Sequence, residues 1–478
     1  MSASLLLQIS PVGLVLLMIL AFKRPPVQAA ILGVLLVLAL WVAGWADPLN
    51  DAIAWAITKD TSVLFLSTAS VIVPGLAFVI LVEKLGAPKA IGEWVKDLGW
   101  SPSAQVIFVV LGLAPLLESM TGFGVSLIAT VPLLMGLFGR EIGLKIALCG
   151  MVVMPWGTLG LATLIGGLLS GQTGNELGSH SAILSGPVFL VLTGVALWLV
   201  GNRSLKAWGA MFVVACIFAG VLYSVSLATG PEIAGVMAGV TVCVIGLLWS
   251  YLSTGNLAKW PRQAWPYLLL LGIIIAARLV FLVTHADSAF IVAGESVSWK
   301  PLSSPGVALA IVALVMAVAK FGTEGASIGA VELWNRAKKP VLTIFFFLLL
   351  SQIMVKAGFL YQTQQSLLSL SDFTLAPMIA FVAGLAGYVT GSNVGGNTLV
   401  MPSIQLLVEQ SGLWLAAIVN SAAGHGALGS LSILSMIIGL AGASREEEHK
   451  LVQYGFVLVV VNITLIAVVS SLMLFIVK

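Results

Sequence analysis

The chain has 478 residues, of which 59% are hydrophobic and only 9% charged, and its net charge is +3. Soluble domains carry roughly 25% charged residues, so a chain with a mean hydropathy of +1.10 cannot cover a water-facing surface and reads as an all-α polytopic membrane protein. The small, scattered positive charge excludes a nucleic-acid binder, because no basic stripe is interleaved with aromatics.

A span needs about 20 mostly apolar residues. Such runs begin at 4–22, 27–45 and 61–82. No basic region precedes the first, so it reads as a spanning helix and not a cleaved leader. Residues 47–60, with Asp47, Asp51, Trp55, Lys59 and Asp60, suggest a short interfacial helix, and 84–102, with Lys84, Lys89, Trp94 and Lys96, suggest another. Residues 103–170 follow, long and apolar but interrupted by Gly, Pro, Ser and Thr. Clear runs resume at 182–200, 208–228, 233–252, 265–284, 304–319 and 341–358. A second interrupted stretch covers 374–441, and 452–476 closes the chain. The total is about 12–14 membrane segments, in a first half at 1–230 and a second at 231–478. Cys149, Cys216 and Cys243 sit inside apolar runs with no metal-ligand or disulfide spacing.

The basic residues set an orientation. Lys23–Arg24, Lys84/Lys89/Lys96, Arg203/Lys206, Lys259/Arg262, Arg336/Lys338/Lys339 and Arg445/Lys450 are expected on the cytoplasmic side. Both termini then lie outside.

The two interrupted stretches share a pattern. Thr121-Gly122-Phe123-Gly124-Val125 and Gly157-Thr158-Leu159-Gly160 in the first match Thr390-Gly391-Ser392-Asn393-Val394 and Gly426-Ala427-Leu428-Gly429 in the second, at one constant offset of 269. Paired glycine-rich breaks in membrane segments are where secondary transporters hold substrate. They predict two inverted pseudo-repeats, each carrying a broken or re-entrant hairpin, because irregular backbone survives at membrane depth only when protein or a water-filled cavity covers it.

Glu118 is the only acid between Asp97 and Glu141. A carboxylate at membrane depth pairs, protonates or lines a pathway, so Glu118 is a proton-carrier candidate; the plainer reading is that it pins the break by accepting local hydrogen bonds. Thr390, Ser392, Asn393, Asn397 and Thr398 offer neutral donors and acceptors suited to a small carboxylate or to the break itself. Trp156 and His425 occupy equivalent positions, and His425 either carries a proton or is a buried, satisfied imidazole. Arg278, inside the 265–284 run, is able to fork onto a carboxylate or to snorkel outward. Lys320 and Glu324 read as an i,i+4 pair.

At these breaks the chain resembles a known group. Glu118-Ser-Met-Thr-Gly-Phe-Gly124, followed by Pro132, is similar to the Glu-Gly-x-x-Gly-Phe-Gly signature of the bacterial L-lactate permease family. Tyr388-Val-Thr-Gly-Ser-Asn-Val-Gly-Gly-Asn397 resembles that family's Thr-Gly-Ser segment, and Asn420-Ser-Ala-Ala-Gly424 its Asn-Ser-Ala-Gly segment. The chain departs from it at Ser119, where the family has Gly, at Ala427–Ser430, and in being shorter. The resemblance implies an inner-membrane importer of lactate or glycolate with a proton. It makes Glu118, Thr121, Gly122, Phe123, Gly124, Thr390, Gly391, Ser392, Asn397 and Asn420 the expected site.

The expectation is therefore a bacterial inner-membrane symporter of small 2-hydroxy monocarboxylates, with Asn393 and Arg278 joining the substrate site and Glu118 and His425 carrying protons. No cofactor or metal is expected, and the partners are the organic anion, the proton and the bilayer, with a homodimer compatible. The alternatives are a sodium-coupled organic-anion transporter and an anion channel. A membrane-embedded enzyme needs a nucleophile–base pair or metal cluster that the sequence does not display.

Overall fold

A computed structural model describes residues 3–122, 124–255, 259–411 and 413–477, leaving outside it Phe123 and the side chains at 320–328, so neither Phe123 nor the Lys320–Glu324 pair is described. The helices run in the order α1 (Ala3–Leu20), α2 (Pro26–Val42), α3 (Asp51–Lys84), α4 (Ala87–Asp97), α5 (Pro102–Ile107), α6 (Ala114–Thr121) and α7 (Ser126–Phe138). Next come α8 (Arg140–Cys149), α9 (Gly157–Ser170), α10 (Gly174–Leu199), α11 (Leu205–Thr229), α12 (Pro231–Thr254), α13 (Trp265–Thr284) and α14 (Pro305–Met316). The chain ends with α15 (Gly322–Lys356), α16 (Tyr361–Leu368), α17 (Asp372–Thr390), α18 (Asn393–Ser411), α19 (Trp414–Ala427), α20 (Leu431–Ala441) and α21 (Arg445–Val477). A two-residue antiparallel pair, β1 (Val292–Ala293) with β2 (Ser298–Trp299), pairs Val292 with Trp299.

Among the described residues ten helices are long and apolar enough to cross a membrane, or eleven if α8 and α9, bent by 61°, form one broken span. Four shorter apolar helices accompany them. The protein is thus an all-α polytopic membrane protein with broken helices. Residues 47–60 do not form a separate interfacial helix. From Asp51 they are the opening turns of the 34-residue α3, started by Asn50, whose Oδ1 accepts from the Ile53 N–H at 2.8 Å. At 1.5 Å per residue α3 is about 50 Å long and outruns a bilayer of about 40–45 Å. By contrast α4 is a surface helix as expected, with Ile91, Trp94 and Val95 buried and Lys89, Glu93 and Lys96 exposed.

Ion pairs mark the two ends of the molecule. At one end Arg336 forks onto Glu83 at 3.0 and 2.9 Å, Lys84 meets Glu332 at 3.2 Å, and Arg140 binds Glu447. Lys84 and Arg336 belong to the basic loops that the sequence places on one side. At the other end Lys356 reaches the buried Asp60 at 3.0 Å, and Asp60 also accepts from the backbone N–H groups of Glu295 and Ser296. Nearby, the Asp47 N–H donates to the Ala357 carbonyl at 3.0 Å.

The hairpins enter from opposite ends. The limb Pro102–Thr121 starts at the basic end, where Ser103 is held by Asn202, next to Arg203. It turns at Gly122–Val125 and returns through α7 to Arg140, which pairs at that same end. The second hairpin begins at Asp372, just after α16, where Gln362 bonds Ser4, and its return limb leads to Trp414, which packs edge-on against His180 at 4.6 Å. His180 lies on the first turns of α10, beside the Gln172–Gly174 segment that shares a cavity with Ser298–Lys300 at the Asp60 end. Each hairpin is therefore re-entrant, and the two are inverted relative to each other.

Candidate functional site

Local chemistry explains each break. Pro115 has no N–H to continue the α-helical ladder, and the limb before it widens into a π-helix over Phe108–Leu113. At the tip, Gly122 and Gly124 take φ of 68° and 74°, a left-handed region that L side chains avoid. Glu118 closes this tip. Its Oε1 accepts from the Gly124 N–H at 3.0 Å and its Oε2 from the Ser126 hydroxyl at 2.7 Å. The carboxylate thereby satisfies the Gly124 N–H just ahead of α7 and the hydroxyl of its first residue, Ser126, where the helix dipole favours negative charge. The plainer of the two sequence-level readings of Glu118, a brace, describes these bonds.

The second tip is closed without charge. Gly391 takes φ of 67° as the C-cap of α17, and the Thr390 hydroxyl donates to the carbonyls of Ala386 at 2.8 Å and Ser392 at 3.0 Å. Below it Asn420 acts as a hub. Its Oδ1 accepts from Asn397 at 2.9 Å and Asn393 at 3.3 Å, while its Nδ2 donates to Thr163 at 3.0 Å and Ser181 at 2.9 Å. Asn397 also donates to the Ala162 carbonyl at 2.9 Å. This buried amide network ties the second hairpin to α9 and α10 of the first half.

The broken helices supply the rest. In α9, Thr158, Leu159 and Gly160 are all left-handed, with φ of 52°, 54° and 68°. Two non-glycine residues in that region in succession store strain of order 1–3 kcal/mol each. Thr158 packs directly over Gly122, in the space a Cβ would need. The equivalent break in the second half lies at Leu428–Ser430, and Ser430 caps α20 by accepting from the Ile433 N–H.

These pieces enclose a cavity of about 350 Å³. Glu118, Thr390, Gly391, Ser392 and Asn393 line it, as do Gly157, Thr158 and Leu161 of α9, Ser432 of α20 and Thr343 of α15. Pro26 and Lys339 also line it, so it opens toward the basic end. The starts of α9, α18 and α20 all reach this space, and helix starts present N–H groups without intrahelical partners.

Not every expected residue lines it. Thr121 is buried behind the tip with its hydroxyl donating to Leu117 at 2.6 Å, and Asn397 and Asn420 form the wall's backing. Gly122 and Gly124 shape the tip without lining the cavity. Arg278 is not at this site: it forms an ion pair with Glu232 beside a separate cavity, because its position far along α13 sets it near the start of α12. His425 lies outside the cavity too. It is buried against Phe189 at 6.2 Å, with no hydrogen bond to either ring nitrogen among the described residues. Its pseudo-equivalent Trp156 packs on the same Phe189 at 6.4 Å, so the sequence correspondence survives as a packing relation. Lining residues outside the expected site include Gly157 and Thr158, which the shared motif flags, and Leu161, Thr343, Ser432 and Lys339. Of the last four only Lys339 carries a signal, as part of a basic loop.

No family model matches the chain, and no curated protein matches it. The fold has a solved counterpart: the Alcanivorax borkumensis YdaH transporter, described as having an unusual topology, is similar over 94% of this chain and 98% of its own, with a TM-score of 0.53 and 12% identity. The protein thus shares the fold of a transporter.

Proposed function

We propose that the protein is a secondary active transporter of the bacterial inner membrane that imports small 2-hydroxy monocarboxylates, such as L-lactate or glycolate, with protons. The observation that carries this reading is the cavity between the two inverted hairpins. Three helix starts, the hydroxyls of Thr158, Thr390, Ser392 and Ser432, and Lys339 line it. Dipoles and a cation favour a small anion, and the hydroxyl-rich wall suits a hydroxy acid. The motif resemblance to lactate permeases supports the substrate class.

Among the described residues Glu118 is the only acid lining the cavity, and it is the proposed proton carrier. Protonation removes the charge that holds Gly124 and Ser126, which links the proton to the geometry of the tip. Transport should then run faster as pH falls, because the loaded carrier needs the protonated carboxyl. One observation favours a sodium-coupled reading instead: the Oδ1 atoms of Asn393 and Asn397 are buried without hydrogen-bond partners among the described residues, and hard cations take such oxygens.

The test is uptake into proteoliposomes, varying sodium and pH independently, with competition by a panel of mono- and dicarboxylates. The proposal expects accumulation under a pH gradient without sodium and competition by 2-hydroxy monocarboxylates. Sodium dependence at constant pH, or competition by dicarboxylates alone, would overturn it.

A further inference from the structure

A second cavity, of about 480 Å³, lies at the basic end between the first limb of hairpin one, the start of α11 and the end of α12. Its walls are apolar: Ile107, Phe108, Val214 and Val242 face it. Its rim is aromatic, with Trp100 edge-on to Phe108 at 4.9 Å and to Trp249 at 6.0 Å. The Trp100 Nε1–H donates to the Ser250 hydroxyl at 2.9 Å. Trp249 and Leu252 are exposed, as bilayer-facing residues at headgroup level are. The mouth is polar and cationic. Asn202, Ser204 and Lys206 line it, Arg203 is exposed beside them, and no acid lines the cavity among the described residues.

We propose that this cavity holds an anionic phospholipid, with an acyl chain along the apolar wall and the phosphate at Lys206 and Arg203. The charge pattern selects this occupant. Lys206 sits in the first turn of α11, which contains no acid. A cation there opposes the helix dipole, and a phosphate at the mouth would relieve both. The basic end is the side expected to face the leaflet rich in anionic lipids. The bound chain would lie against Phe108, where the π-helix of hairpin one begins, so occupancy would brace the limb that carries Glu118.

The test is native mass spectrometry of the detergent-purified protein given equal amounts of phosphatidylglycerol and phosphatidylcholine with identical acyl chains. The expected result is at least threefold preferential retention of phosphatidylglycerol. R203E/K206E should bring the two lipids level, and A210W, which fills the cavity, should reduce retention of both. Equal retention by the unaltered protein would overturn the proposal without any variant being needed, as would an undiminished preference in R203E/K206E. A dimer peak free of lipid and abolished by A210W would mean that a second copy covers the cavity, which also overturns it. None of these readings depends on what the protein transports.

Discussion

Hairpin one and hairpin two have the same spacing but are held closed by different chemistry. The tip at Gly122–Val125 is fastened by one carboxylate, Glu118, acting on Gly124 and Ser126. The tip at Gly391–Ser392 is fastened by the Thr390 hydroxyl and backed by the Asn393, Asn397 and Asn420 amides. The first tip can change its bonding when a proton arrives. Neutral amides do not titrate, so the second keeps its shape at any working pH. The proposed proton-coupled transport would use both, one responsive wall and one constant wall on the same cavity.

The comparison breaks most severely at the glycine of the first tip. Gly122→Ala places a side chain at a left-handed φ and into the space of Thr158. The backbone alone costs about 1–2 kcal/mol, and overpacking typically adds about 1–3 kcal/mol. Complete loss of uptake is expected, with a clear fall in the thermal midpoint in detergent. Gly99→Ala, with a similar φ but nothing near its absent Cβ, should keep uptake. Equal behaviour of the two would show that the tip does not depend on close packing.

Glu118→Gln separates charge from shape. The amide keeps an oxygen to accept one bond but cannot titrate. Accumulation driven by a pH gradient should fall at least tenfold, while counterflow, which needs no net proton movement, should persist. Loss of both would make Glu118 a brace required as an anion. Normal accumulation would remove it as the proton carrier, and His425, packed on Phe189 away from the cavity, would become the next residue to test.

For hairpin two the matching change is Asn420→Ala, which removes the partner of the Asn393 Nδ2 group and of the Ser181 hydroxyl and takes one bond each from Asn397 and Thr163. A lost buried partner costs about 1–3 kcal/mol, so the expected effect is on stability, measured as a lower thermal midpoint. The pH dependence of uptake should keep its shape. A shifted pH profile would mean that the amide wall is not the constant one.

The breaks were legible in the sequence because Gly, Pro and hydroxyl residues are conspicuous inside long apolar runs, and an ionised residue such as Glu118 stands out still more. Their inversion was expected from the constant offset of 269 between breakers at matching places. The cavity lining was less legible. Leu161 and Ser432 lie just past the two glycine-rich motifs and carry no chemistry that marks them as lining; they reach the site through tertiary packing. Arg278 stood out because charge at membrane depth looks functional wherever it occurs; its place beside a different cavity was not legible, because its partner Glu232 lies 46 positions away in sequence and on another helix.

The smallest expected effect gives the sharpest discrimination between lining and backing. Ser392 and Thr121 both belong to the shared motif, yet Ser392 lines the cavity and Thr121 is turned into its own helix. Ser392→Ala should weaken substrate binding by about fivefold, the lower end of the 1–3 kcal/mol range for a lost hydrogen-bonding group, with little change in stability. Thr121→Val removes a hydroxyl bonded only to the Leu117 carbonyl and should leave affinity unchanged within a factor of about two, because a single local bond of this kind contributes only about 0.5–1.5 kcal/mol, to folding. Both are read by equilibrium binding of labelled lactate or glycolate to purified protein. If Thr121→Val weakened binding as much as Ser392→Ala, the substrate would have to touch both tips, and the assignment of Thr121 to the backing would be wrong.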